Sequence, residues 1–98
     1  RAVRREQMQT LVRELPRDVP LILAGDMNCA AEELEPLRER FTLSPPVPTY
    51  PAMWPMRALD YVAFSEHWDL CDVSAVRTSA SDHRPLVSHF ERRPDTIT

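Results

Sequence analysis

Three short stretches place groups capable of acid, base or metal chemistry at the ends of apolar runs. Asp26 and Asn28 close "LILAGDMN", Asp60 stands in "LDYVAF", and Asp82 with His83 stands in "SDHRPLV". Carboxylates are oxygen ligands suited to hard divalent cations. A carboxamide supplies the N–H donor that a carboxylate lacks, and an imidazole titrates near neutrality. Each stretch also has a purely structural reading. Asp and Asn are common turn residues whose side chains bond nearby backbone, Asp60 fits a satisfied core carboxylate or an outward strand position, and an Asp-His pair can cap a turn. All three stretches nevertheless fall where strands meet loops, which is where functional groups gather.

The elements that must position them are legible as patterns. Val3, Met8, Leu11, Val12 and Leu15 share one face at helical spacing, so residues 2–15 read as an amphipathic helix that Pro16 ends. Residues 21–24 are a continuous apolar run, expected as a strand buried on both faces. Residues 30–41 read as helical, with Glu32, Glu33 and Glu35 early and Arg38 and Arg40 late, in the order a helix dipole favours; Pro36 is expected to split this helix. Five prolines within residues 42–57 mark a surface loop with stiff extended segments, long enough to be functional. Residues 59–64 and 70–78 read as neighbouring strands turned at "SEHWD", and residues 86–90 as a last strand after a polar loop. The tail from Arg92 is expected to fray.

At 98 residues the chain supports one small core, a single partial domain over residues 1–98. Apolar residues at 43% and charged residues at 28% exclude general disorder. No stretch reaches the roughly 18 apolar residues that span a bilayer. A net charge of −3 argues against a broad duplex-binding face, because such affinity comes from many cations neutralising phosphates. Cys29 and Cys71 give neither a disulfide framework nor a zinc-site spacing, so a reducing, cytoplasmic setting is expected. Cys29 has no basic neighbour to activate it and reads as a small buried residue rather than a nucleophile. Tyr50 and Trp54 are expected to pack locally in the proline loop rather than line a substrate mouth, Arg57 and Arg84 to be solvated rather than contact phosphate, and His67 and His89 to sit at surface or strand-edge positions.

In order, "GDMN", "TYP" at 49–51, "LDYV" and "SDHRPLV" resemble the C-terminal half of the endonuclease/exonuclease/phosphatase superfamily, the DNase I-like metal-dependent phosphoesterases. That superfamily's usual signatures are GD(F/L/M)N, T(F/Y)P, (L/I)D(Y/H) before an apolar strand, and SDHxP. The resemblance runs from residue 3 to 91. It implies an α/β (α+β) fold, the C-terminal half of a four-layer α/β sandwich, and hydrolysis of phosphate esters by water attacking phosphorus in line, with Mg²⁺ or Mn²⁺. It further implies that Asp26 orients or deprotonates the water and approaches a metal, and that Asn28 holds Asp26 and donates to a phosphate oxygen. Asp82 binds metal, His83 bonds the scissile phosphate, and Asp60 pairs with His83 to fix its tautomer and favour its cation.

The chain opens at Arg1 inside a helical pattern, as a cut piece would, and the early Asn, the metal-binding Glu and the further His of the superfamily's N-terminal half have no counterpart in it. The expectation is therefore half a site, weakly active or inactive alone, depending on an upstream half of the fold or on self-association. The alternative is a non-catalytic remnant or binding module that keeps the fold. A further alternative is a small interaction protein whose acids are turn residues. The short span between "GDMN" and "LDYV" and the acidic balance favour a small phosphate ester or a lipid headgroup over duplex DNA as substrate.

Overall fold

The structure, a computed structural model, describes residues 2–27 and 31–94. The expectations for Asn28 and Cys29 lie outside the described residues. Helix α1 (Ala2–Glu14) is followed by strand β1 (Ile22–Asp26), a 3-10 helix (Ala31–Glu39), and strands β2 (Thr42–Leu43), β3 (Asp60–Phe64), β4 (Trp68–Ala75) and β5 (Leu86–Arg92). Two antiparallel sheets result, one ordered β1-β3-β2 and the other the ribbon β4-β5.

Strand β3 is the centre of the molecule because its alternation is apolar on both faces. Tyr61 and Ala63 join Met8, Val12, Leu34, Leu37, Phe41 and Leu43 in the core under α1 and the 3-10 helix. Val62 and Phe64 are also buried, and the Phe64 ring meets that of Phe90 edge-on at 5.1 Å, which ties β3 to the ribbon. Such aromatic pairs add to simple area burial.

Helix α1 stops before Pro16, as its sequence requires, and its last carbonyls are closed by a residue far along the chain. The guanidinium of Arg40 donates to the carbonyls of Val12, Leu15 and Pro16. A cation at this end satisfies acceptors that an α-helix leaves open and also suits the helix dipole.

Four local expectations are corrected. The run at 21–24 is not buried on both faces: β1 is an edge strand paired with β3 alone, and Ile22 keeps 43% of its surface exposed. The segment read as a helix split at Pro36 is one 3-10 element with Pro36 buried inside it; proline lacks the N–H that a continuing α-helix would use there. Residues 59–64 and 70–78 do not form a strand pair. Both edges of β3 are already taken by β1 and β2, so β4 crosses to the second layer and pairs with β5. The proline loop is not wholly irregular, since it begins with β2 and closes through a bridge between Tyr50 and Arg57. At the other end, Arg92 completes β5 and Arg93 binds the Asp69 carboxylate at 2.8 Å, so the stretch expected to fray is anchored at its start. The last four positions, 95–98, lie outside the described residues.

The Cα radius of gyration is 14.4 Å, against about 13 Å for a compact 100-residue domain. Sheet surface is open on β1, where Ile22, Ala24, Gly25 and Asp26 are exposed, and on the outer face of the ribbon, where Cys71, His89 and Glu91 are exposed. Among the described residues no helix is long and apolar enough to cross a membrane.

Candidate active site

The antiparallel register between β1 and β3 sets Asp26 directly opposite Asp60. Like charges at such a position repel. His83, delivered by the loop before β5, relieves the repulsion. Its Nδ1 lies 2.8 Å from Asp60 Oδ2 and its Nε2 lies 3.6 Å from Asp26 Oδ2. One ring nitrogen is thus hydrogen-bonded while the other faces a carboxylate just beyond bonding distance. The Asp60 side chain retains 18% of its surface and Asp26 retains 48%, so the first is held within the fold and the second is open to solvent.

The proline loop builds the second wall. Thr49, fully buried, donates its hydroxyl to Asp60 Oδ2 at 2.5 Å, so that one carboxylate oxygen accepts from both Thr49 and His83. The ring of Tyr50 lies 4.9 Å from the His83 ring, tilted by 48°. The Ala52 N–H donates to the Asp82 carbonyl at 2.8 Å, the Arg84 N–H to the Thr49 carbonyl at 2.8 Å, and Arg84 Nε to the Ala52 carbonyl at 2.7 Å. These bonds lock the two loops together around His83. A cavity of about 310 Å³ opens beside it, lined by Ala24, Gly25, Asp60, Ser81, His83 and Arg84 among others.

Asp26, Asp60 and His83 therefore converge, with ligand atoms within 4.8 Å of one another. The Asp82 carboxylate stands outside that group: it is exposed and accepts from the Ser81 hydroxyl at 3.4 Å. The sequence around "TYP" carries no sign of the role of Thr49, because nothing in its neighbours indicates that a loop hydroxyl eleven positions before Asp60 reaches that carboxylate. Arg84 anchors Ala52 rather than standing solvated. Tyr50 packs as expected, whereas Trp54 does not, with 74% of its surface exposed. His67 is half-buried in the turn after β3, its Nδ1 2.8 Å from the Ser65 hydroxyl, and His89 lies exposed on β5.

The hydrogen bond to Asp60 raises the His83 pKa above its ordinary 6.5. Partial desolvation opposes the shift, and the charges of Asp60, Asp26 and Asp82 reinforce it. Because the folded state holds this proton more tightly, the stabilisation is fully present below the ordinary value and is lost as pH rises through the raised one. In buffer stripped of divalent ions, the thermal midpoint is expected to fall as pH rises through that window. His83→Gln should flatten this part of the profile. An unchanged slope in the variant would assign the dependence to other groups.

The model of the endonuclease/exonuclease/phosphatase family matches residues 1–83, a span that takes in Asp26, Asp60 and His83. The chain belongs to that family, and its mixture of helices and antiparallel sheets is that of a partial DNase I-like domain. No curated protein and no solved structure matches it.

Proposed function

We propose that this chain is the C-terminal half of a divalent-metal-dependent phosphoesterase, in which water attacks phosphorus in line. The observation that carries the reading is His83 held between two carboxylates, 2.8 Å from Asp60 and 3.6 Å from Asp26. With Nδ1 engaged by Asp60, Nε2 is the nitrogen left to donate to a phosphate oxygen, and the raised pKa favours the protonated donor. Asp60 is a positioning residue, seated in turn by Thr49. Asp26, half open to solvent, would accept a proton from an attacking water. Asn28 would steady Asp26 and add a phosphate donor.

The donor set fits a hard cation. Two carboxylates face each other in register, Asp26 is accessible, and Asp82 lies on the loop that carries His83. Asp26 would hold Mg²⁺ or Mn²⁺, with Asp82, outside the converging group, reaching the ion directly or through water. Bound there, the ion supplies charge stabilisation to the phosphoryl oxygens and lowers the pKa of water.

A small phosphate ester or lipid headgroup is the proposed substrate class, ahead of duplex DNA. Met53, Trp54 and Met56 on the proline loop are 90%, 74% and 72% exposed, an apolar stretch beside the single exposed Arg57 of that loop. The open edge of β1 is proposed to be covered by the N-terminal half of the same fold or by a second copy of the chain.

The test is hydrolysis of bis(4-nitrophenyl) phosphate by the chain with Mg²⁺, alongside the His83 ring resonances by NMR. The expected outcome is metal-linked movement of those resonances, with at most weak hydrolysis by the chain alone, which chelation abolishes and Mn²⁺ restores. Neither hydrolysis nor any Mg²⁺-linked change at His83 would overturn the reading in favour of a non-catalytic module.

A further inference from the structure

The outer face of the β4-β5 ribbon carries a second convergence of ligand-type side chains that the phosphoesterase reading does not use. Strand pairing shifts by one residue between Leu70 and Asp72: Leu70 pairs with Phe90, but Asp72 pairs with His89. Cys71 is the extra residue of a β-bulge, a device that re-aims a side chain out of the regular ladder. Alternation places Leu70 and Phe90 on the inner face, where Phe90 meets Phe64, and His89 and Glu91 on the outer face. The bulge sets Cys71 between the level of Glu91 and the level of His89. The Cys71 sulfur, a His89 ring nitrogen and a Glu91 carboxylate oxygen consequently lie within 4.8 Å of one another, all on exposed residues.

We propose that Cys71, His89 and Glu91 form a surface site for a zinc-type divalent cation. A thiolate, an imidazole and a carboxylate are the three donor types that this borderline-soft ion accepts, and three protein ligands leave a fourth tetrahedral position for water. Bond lengths of about 2.0–2.3 Å put ligand atoms around one such ion roughly 3.3–3.6 Å apart. The three ligand atoms already lie within 4.8 Å of one another on exposed residues, whose side chains are free of the packing that would hold them apart. Asp72, Cys71's neighbour, adds negative charge on the same face, while Asp69 is engaged by Arg93 at 2.8 Å. A thiolate-containing set selects against Mg²⁺, so this site and the oxygen-rich group at Asp26 take different ions.

Co²⁺ titration of the reduced, intact chain tests the assignment, because cobalt bound to a thiolate gives a charge-transfer absorption that oxygen and nitrogen ligands alone do not. The band is expected in the native chain and in Cys29→Ser, to be displaced by stoichiometric Zn²⁺ and untouched by excess Mg²⁺. It should vanish in Cys71→Ser. His89→Ala and Glu91→Gln should each weaken Co²⁺ binding by about tenfold or more, since even outer-shell partners of metal ligands cost about 10–100-fold. All three positions are exposed, and circular dichroism checks that each variant keeps the native fold. Absence of the band in the native chain, its survival in Cys71→Ser, or undiminished affinity in His89→Ala would overturn the proposal.

Discussion

His83→Ala is expected to lower the proposed divalent-metal-dependent phosphodiester hydrolysis by about 10²–10⁴-fold, the range a positioned acid–base group supplies. The size follows from the position of the ring. His83 is the one described imidazole that joins Asp60 and Asp26, and its removal deletes the proposed phosphate donor while leaving two opposed carboxylates without a proton between them. Asp60→Asn separates the two effects. The imidazole remains, but its Nδ1 loses a charged partner, so turnover should fall while the pH profile moves toward that of an ordinary histidine. The same repulsion gives a readout free of catalysis: Mg²⁺ should stabilise His83→Ala against heat more than it stabilises the native chain. Wild-type turnover in His83→Ala would remove the imidazole from the reaction, whatever its structural role.

The largest expected loss of stability comes from Leu34→Ala and Leu37→Ala. Both side chains are completely buried between α1 and the sheet, and truncating a buried leucine costs about 2–5 kcal/mol through lost transfer energy and the cavity left behind. Domains hold only about 5–15 kcal/mol in total, so either change removes a large fraction. In urea, where slopes run at about 1–3 kcal/mol per molar, the midpoint should drop by roughly 1 M or more. Val87→Ala is the control. That side chain is 51% exposed on the ribbon, and surface changes of this kind stay within about 0.5 kcal/mol. Equal midpoint shifts at Leu34 and Val87 would mean that the core under α1 is not where the stability resides.

The residues named for chemistry were legible because each sits in a short string. "GDMN", "LDYV" and "SDHRPLV" point to Asp26, Asp60 and His83 without knowledge of what they touch, and all three residues fall within the span that the family model matches. Helix α1 and strand β3 were equally legible, one from helical spacing ended by Pro16, the other from an apolar run with aromatic and β-branched residues. Periodicity is a local property, and these elements are local.

What escaped the sequence depends on pairing across distance. Whether Asp26 opposes Asp60 is a matter of register between strands more than thirty positions apart, and a slip of one residue would send every side chain of β1 to the other face. Arg40 reads as a helix-end charge and closes a different helix, because its reach becomes useful only once α1 lies against the 3-10 element. Thr49 becomes a partner of Asp60 only through the path of the proline loop. Cys71 meets His89 and Glu91 because one extra residue in β4 shifts the ladder, and no feature of "WDLCDV" announces it. The sequence by itself determined which groups are present and the family they serve. The tertiary structure alone decided which of them meet, since a side chain's neighbours are set by strand register and loop path.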